Sequence, residues 1–157
     1  DAFYNGKRLR PILAYLINDS LNKSNNTNYN INNILIISEL IHTSSLIIDD
    51  LPCMDNDLYR RGKPTIHFKY GTIKAQIIAS YLMNLVFSYL NKNLEILEKL
   101  KLPQLTKRVD LIYQCLTNNL GINGAPLGQF LDTLPNFNKC LVSCYEKNLR
   151  YYDIIKK

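Results

Sequence analysis

Apolar residues recur at helical spacing along most of this chain, and strict alternation of apolar and polar residues is nearly absent. An Asn-rich stretch at 23–33 and a polar stretch at 51–64 read as loops. We see no internal repeat and no linker, so we expect one domain over residues 1–157. The periodicity predicts an all-α, antiparallel helical bundle, with helices over residues 8–22, 34–50, from 66 or 71 to 90, 102–120 and 139–157.

The chain has 157 residues and a net charge of +6, with Lys and Arg spread along it rather than grouped in blocks. This pattern argues against a nucleic-acid-binding arm and leaves room for a pocket that takes a small anion. No run approaches the roughly 20 apolar residues of a membrane span, so we expect no transmembrane segment. The four cysteines lack zinc spacing, and we expect free, buried thiols. No feature of the sequence assigns a compartment.

The most informative segment combines paired carboxylates with arginines. An apolar helix ends in Asp49 and Asp50, and Asp55 follows after a short loop, before Arg60 and Arg61. Carboxylates at the negative end of a helix dipole are unfavourable unless a cation compensates them. Mg²⁺ prefers carboxylate oxygens and bridges to phosphates, which arginine forks also bind. The segment therefore suggests a site for Mg²⁺ and a diphosphate, although a solvated loop of mixed charge is an alternative interpretation.

Two further positions fit an anion site. His42 lies seven residues before Asp49, nearly two helical turns, so the two share a helix face. Lys7 and Arg10 share a face at the start of the first predicted helix, where a helix N-terminus favours anions. Each also has an ordinary explanation. His42 could be a histidine of the core, and Lys7 and Arg10 could be basic residues at the exposed start of a helix.

Three segments together resemble the trans-isoprenyl diphosphate synthases, especially the bacterial and plastid type that makes farnesyl or geranylgeranyl diphosphate. They are GKRLRP at 6–11, IHTSSLIIDDLPCMDND at 41–57 and RRGKPT at 60–65, with a weaker match at Gly128-Gln129 and Asp132. The resemblance implies an isoprenoid-synthase bundle and a homodimer. In that family a second aspartate-rich motif follows in the C-terminal half. We therefore expect this chain to be the N-terminal portion of such a domain, and to be inactive alone.

The resemblance implies roles residue by residue. In the carboxylate segment, Asp49, Asp50, Asp55 and Arg60 would be catalytic: the three aspartates would hold Mg²⁺ on the allylic diphosphate, and Arg60 would bind that diphosphate. The complete enzyme would use two or three Mg²⁺ ions. The diphosphate of isopentenyl diphosphate would be bound by Lys7, Arg10, His42 and Arg61. Gln129 and Asp132 would line the same cavity.

The implied reaction is the head-to-tail condensation of isopentenyl diphosphate with an allylic prenyl diphosphate, by ionisation, condensation and elimination. Ser44 and Ser45 would lie at the chain-length positions, where small residues favour geranylgeranyl diphosphate or longer. Two extra residues between Asp50 and Asp55 are typical of shorter-chain types.

Two departures from the family pattern are Ala79-Ser80, where a Gly-Asp pair is usual, and Leu58, which replaces an acidic residue. They leave open a non-catalytic partner subunit as the main alternative. A helical metal- or phosphate-binding module and a terpene cyclase are the more distant ones.

Overall fold

The computed structural model describes residues 6–25, 31–101 and 104–133. They form six helices and one short hairpin, so the all-α prediction is confirmed; the predicted helix over 139–157 lies outside these residues. The elements are α1 (Leu9–Asn25), α2 (Asn32–Asp49), β1 (Tyr59–Arg60), β2 (Lys63–Pro64), α3 (Ile66–Tyr70), α4 (Thr72–Lys99), α5 (Leu105–Leu120) and α6 (Ala125–Asp132).

The core of the first unit, residues 1–102, is the contact between α2 and α4. Buried residues of α2 recur every three or four positions, as one face of a helix requires, at Ile37, Leu40, Thr43, Ser44 and Ile47. The facing stripe of α4 is Ala75, Ala79, Leu82, Val86, Leu90 and Asn93. The chain reverses between the two helices, so they pack antiparallel and the end of α2 lies near the start of α4. α1 packs on α2 as well.

The segment at 51–64, expected to be a loop, contains a two-residue hairpin. Tyr59 pairs with Pro64 and Arg60 with Lys63, which leaves Arg61 and Gly62 as the connecting residues. Both have left-handed backbone, with φ of 52° and 76°, the signature of a type I′ turn. Arginine is an unusual first residue for such a turn, and the sequence pattern gave no strand signal because each strand has only two residues.

α4 continues to Lys99, nine residues beyond the predicted end at 90. By length and composition alone it could cross a membrane, which the sequence did not lead us to expect. Leu82, Val86 and Leu90 are buried within the unit against α2, as the apolar face of a core helix is. We therefore interpret α4 as a core helix.

The second unit, residues 103–157, contains α5 and α6. α6 was not predicted, because Gly121, Gly124 and Pro126 read as a turn. Pro126 lies in the first turn of α6, where a helix tolerates proline because the missing N–H would have no partner there. The expectation of buried thiols is wrong for Cys53 in the first unit and Cys115 in the second, which are free but exposed; Cys140 and Cys144 lie outside the described residues.

Candidate active site

A pocket of about 360 Å³ opens at the start of α1, in the first unit. Three separate segments contribute to it: the residues that lead into α1, one face of α2, and the tip of the hairpin. It brings together all four residues that the resemblance assigned to the isopentenyl diphosphate site, Lys7, Arg10, His42 and Arg61. The remaining lining residues are Gly6, Arg8, Leu9, Glu39, Thr43 and Leu46.

The charge of this pocket is strongly positive. Lys7, Arg8, Arg10 and Arg61 contribute four cations, and Glu39 is the one acid among the lining residues. Converging guanidinium and ammonium groups are the usual means by which proteins bind phosphates. The pocket is thus suited to an anion that carries several negative charges.

His42 stands on the α2 wall of this pocket, half-buried. Its pKa is lowered from the ordinary value of 6.5, first by burial and then by the neighbouring Arg10, with smaller effects from Arg61 and Arg60 in the same direction; Glu39 opposes them. A neutral imidazole in such a place can donate one hydrogen bond without adding to the repulsion among the cations. Bound anionic oxygen would reverse the balance and favour the imidazolium form.

Arg61 reaches the pocket from the tip of the hairpin, close to Gly6. A Cβ built on Gly6 would lie 3.1 Å from Nη1 of Arg61 and 3.0 Å from Nη1 of Arg8. Both distances are shorter than ordinary van der Waals contacts. The missing side chain of Gly6 therefore lets two guanidinium groups approach the backbone that leads into α1.

The carboxylate segment begins at the end of α2. Asp49 is the last residue of that helix and Asp50 follows as its C-cap. The loop then folds back, and the backbone N–H of Asp55 donates to the carbonyl oxygen of Asp49 at 2.9 Å. The backbones of Asp49 and Asp55 are thereby adjacent, and the Asp55 side chain is exposed.

Asp50 points inward and pairs with Arg60. Nε of Arg60 lies 2.5 Å from Oδ1 of Asp50, and its Nη2 lies 3.4 Å from Oδ2 of Asp57. Asp50 is only 5% exposed, and burial raises the pKa of its carboxyl above the ordinary value while the Arg60 bond opposes that rise. Arg60 is therefore a cation that compensates the Asp50 carboxylate at this helix end.

This pairing differs from the expected division of roles. Asp50 was expected to help to hold Mg²⁺ and Arg60 to bind a diphosphate, whereas here the two groups bind each other. Across the described parts of the chain, no three His, Cys, Asp or Glu residues converge to hold a metal ion unaided. Asp50 pairs with Arg60 in this structure, and the expectation that Asp49, Asp50 and Asp55 hold Mg²⁺ stays a prediction.

The remaining donor set still suits Mg²⁺. Asp49 and Asp55 offer hard carboxylate oxygens from adjacent backbone positions, and the Asp55 side chain is open to solvent. Mg²⁺ commonly uses one or two carboxylates and completes its shell with water and substrate phosphate. A full protein cage is therefore not required here.

Thr65 and His67 were missed by sequence reasoning, and they hold the hairpin in place. The Thr65 hydroxyl donates to the carbonyl oxygen of Asp57 at 2.8 Å and lies 3.0 Å from Nδ1 of His67. Because a hydroxyl has one hydrogen, Nδ1 must be the donor in the second contact. Nε2 of His67 is buried and has no hydrogen-bond partner in the part of the chain that the structure describes. The signal was weak, since Thr65 only ends the RRGKPT segment and His67 lies just beyond it.

Ser44 and Ser45 separate in the structure. Ser44 is fully buried between α2 and α4, and its hydroxyl donates to the carbonyl oxygen of Ala79 at 3.0 Å. Ser45 is exposed and donates to the carbonyl oxygen of His42, one turn back in the same helix. The two serines therefore do not share a surface, and their role as chain-length positions stays a prediction.

Gln129 and Asp132 lie in the second unit, on α6. Gln129 is half-buried and Asp132, three residues further along the same helix, is exposed. Their expected place beside the isopentenyl diphosphate site stays a prediction.

Comparison with known proteins finds relatives over most of this chain. The chain is 35% identical over 147 residues to a farnesyl diphosphate synthase of Buchnera aphidicola, covering 90% of this chain and 45% of the relative. A geranyltransferase structure from Legionella pneumophila matches with a TM-score of 0.68 and 39% identity, over 83% of this chain and 43% of that one.

A second solved structure, a Helicobacter pylori geranyltransferase complexed with magnesium and isoprenyl diphosphate, matches with a TM-score of 0.58 and 32% identity, over 86% of this chain and 44% of that one. The chain thus spans less than half the length of each of these three proteins. The helical fold is shared with the two solved structures. Because the family model described as polyprenyl synthetase matches residues 2–157, nearly the whole chain, this protein belongs to the polyprenyl synthetase family.

Proposed function

We propose that this protein condenses isopentenyl diphosphate with an allylic prenyl diphosphate, head to tail. The observation that carries the proposal is the pocket in which Lys7, Arg10, His42 and Arg61 meet. Lys7 and Arg10 lie at the start of α1, just before it and within its first turn. His42 lies on α2 and Arg61 at the tip of the hairpin, so three segments that are distant in sequence contribute to the pocket. Their convergence on one cavity is what a site for a multiply charged anion requires.

The two substrates would bind at two different groups of charged residues in the first unit. The basic pocket would hold isopentenyl diphosphate through its diphosphate group. The carboxylates Asp49 and Asp55 would hold Mg²⁺, whose charge would stabilise the departing diphosphate of the allylic substrate. Arg60 would turn from Asp50 toward that diphosphate, because a guanidinium binds a dianionic phosphate at least as well as a carboxylate.

The chain's own residues then have defined tasks in this proposal. Lys7 and Arg61 neutralise the diphosphate of the nucleophilic substrate, and Arg10 orients it next to His42. The apolar faces of the bundle exclude water, which would otherwise quench an allylic cation. A proton lost after condensation has a ready acceptor in the released diphosphate.

We propose geranylgeranyl diphosphate as the product. Ser45 supports this choice, because it is small and exposed four residues before Asp49 and leaves space beside the helix. The Buchnera relative is named a farnesyl diphosphate synthase, so a fifteen-carbon product is the competing outcome of the same assay.

A non-catalytic partner subunit is the second candidate. The specific observation is Ala79, which stands with Ser80 where the family has a Gly-Asp pair; it is 2% exposed, and its carbonyl oxygen accepts from the Ser44 hydroxyl. A partner subunit would still bind a diphosphate but would change the product of an active synthase rather than form one itself. We also propose that the whole protein forms a homodimer, as is usual in the family.

The test uses the whole protein with radiolabelled isopentenyl diphosphate and geranyl or farnesyl diphosphate, with Mg²⁺ present or chelated. We expect Mg²⁺-dependent product, resolved by chain length on chromatography. Asp49→Asn and Asp55→Asn should each lower turnover at least about a hundredfold, a loss of roughly 2.7 kcal/mol of transition-state stabilisation.

Asp110→Asn is the matched control, because Asp110 is an exposed carboxylate on α5, and its turnover should equal the parent's. Product formation that persists in both Asp49 and Asp55 variants would contradict the proposed metal site. Absence of turnover, together with an altered product length when the protein is mixed with an active synthase, would instead establish the partner subunit.

A further inference from the structure

The wall of the basic pocket contains one acid that the proposed function does not use. Glu39 lines the pocket together with His42, one helical turn away on α2, and its side chain is 16% exposed. A carboxylate beside a site for a diphosphate repels the ligand. Its presence there needs an explanation.

Arg8 supplies a partner for this acid. Nη1 of Arg8 donates to Oε2 of Glu39, across 31 positions of sequence. Arg8 immediately precedes α1, and its carbonyl oxygen accepts a hydrogen bond from the N–H of Ile12. The ion pair therefore joins the point where α1 begins to the middle of α2.

The backbone at this point is also unusual. Arg8 has φ of 52°, a left-handed conformation that non-glycine residues adopt uncommonly. Gly6, two residues earlier, lies against the guanidinium groups of Arg8 and Arg61. Contacts on both sides thus hold the segment that carries Lys7 and leads to Arg10.

We propose that Arg8 and Glu39 are positioning residues, whose ion pair fixes Lys7 and Arg10 opposite His42 in the diphosphate pocket. This inference rests on the proposed function, because it requires that the pocket bind a diphosphate. Arg8 acts through Glu39 and does not itself bind the ligand. The repulsion from Glu39 is offset, because its charge is neutralised within the pair.

The proposal makes a prediction opposite in sign to simple electrostatics. If Glu39 were only a nearby negative charge, Glu39→Gln would tighten the binding of any anion. If Glu39 is a positioning residue, Glu39→Gln releases Arg8 from its ion pair. Lys7 and Arg10 then lose their fixed position, and the binding of the anion weakens. The sign of the change therefore separates the two explanations.

The experiment is isothermal titration calorimetry of the full chain with inorganic pyrophosphate. It is run at pH 8, above the pKa of His42 in the free parent chain, which burial and Arg10 lower from 6.5. We expect Glu39→Gln to weaken the affinity about tenfold, the loss typical of one charge-assisted contact. The charge-swapped double variant Arg8→Glu with Glu39→Arg should regain most of that affinity, since it keeps the pair and the net charge.

Asp19→Asn is the control, because Asp19 forms an exposed ion pair with Lys23 on α1 and does not line the pocket. It should bind pyrophosphate as the parent does. In the whole protein, Glu39→Gln should raise KM for isopentenyl diphosphate and leave KM for the allylic substrate unchanged. A merely structural role would alter both constants.

Equal or tighter binding by Glu39→Gln would overturn the proposal. The proposal would also fail if the double variant bound pyrophosphate as weakly as the single variant Arg8→Glu. That result would mean that Arg8 binds the anion directly. If circular dichroism shows Glu39→Gln unfolded, the swapped variant decides alone. Failure of the parent chain to bind pyrophosphate would refute the proposed pocket and this inference together, whereas failure in the variants alone refutes only the inference.

Discussion

The hydroxyl of Ser44 donates a hydrogen bond to the carbonyl oxygen of Ala79, which joins the last turns of α2 to the second turn of α4 at 3.0 Å. Ser44 has no exposed surface, and Ala79 is 2% exposed. Two small residues thus let the two helices approach closely just where α2 presents Asp49 and Asp50. The carboxylate segment is anchored to α4 by this contact.

Ser44→Tyr should destabilise the fold, because the large side chain must enter a closely packed helix contact. Overpacking of this kind costs about 1–3 kcal/mol, and Ser44→Ala should cost only about 0.5–1.5 kcal/mol through the lost hydrogen bond. Urea denaturation of both variants measures the difference. Equal stability of Ser44→Tyr and the parent would show that the contact is looser than the structure indicates.

Ser45→Tyr should shorten the product of the whole protein without loss of stability. Ser45 is exposed, so a tyrosine can occupy the space beside α2 without separating any helices. Product length is read by chromatography, and Ser88→Tyr, an exposed serine on α4, is the matched control. A geranylgeranyl product from Ser45→Tyr and parent alike would remove Ser45 from the set of chain-length positions.

Asp50 and Arg60 should be energetically coupled. Their side chains are 7% and 30% exposed, so the pair is partly shielded from water. A double-mutant cycle with Asp50→Asn and Arg60→Gln should give a coupling energy of about 1–3 kcal/mol in the free energy of unfolding. Additive effects of the two substitutions would mean that the 2.5 Å contact contributes nothing to stability.

His42 should make the stability of the fold depend on pH. Its folded pKa lies below 6.5, so the unfolded chain binds more protons as pH falls through this range. The stabilising contribution is therefore complete above pH 6.5 and is lost as pH falls through the folded value. The chain has two histidines, so NMR resonances of the rings can follow His42 directly.

The stability of His42→Gln should lack this dependence on pH. In the parent, bound pyrophosphate should raise the pKa of His42 because it stabilises the imidazolium form. The groups that face His42 are Arg10 from α1, Glu39 from α2, and Arg60 and Arg61 from the hairpin. A pKa of His42 that does not move on addition of pyrophosphate would place the anion elsewhere.

The sequence predicted the helices well where apolar periodicity was long and uninterrupted. α2 was expected over 34–50 and extends from Asn32 to Asp49, because its buried face repeats without a break. α6 was missed, since glycine and proline near Pro126 mark a turn and a helix start equally well. The hairpin was missed because strands of two residues carry no alternation.

The candidate site was predictable in its residue types but not in its pairings. Lys7, Arg10, His42 and Arg61 were expected to act together, and they line one pocket. Nothing in the sequence distinguishes an arginine that faces a ligand from one that binds Asp50 or Glu39. Such a choice depends on side-chain direction, which spacing alone does not determine.

At Arg61 the left-handed backbone favours one kind of residue and the charge of the pocket favours another. Glycine or asparagine would suit the first residue of a type I′ turn better than arginine does. A library selected only for thermal stability should therefore replace Arg61 early, and would remove a pocket cation in doing so. Arginine is conformationally unfavourable in this turn, and its side chain lines the basic pocket.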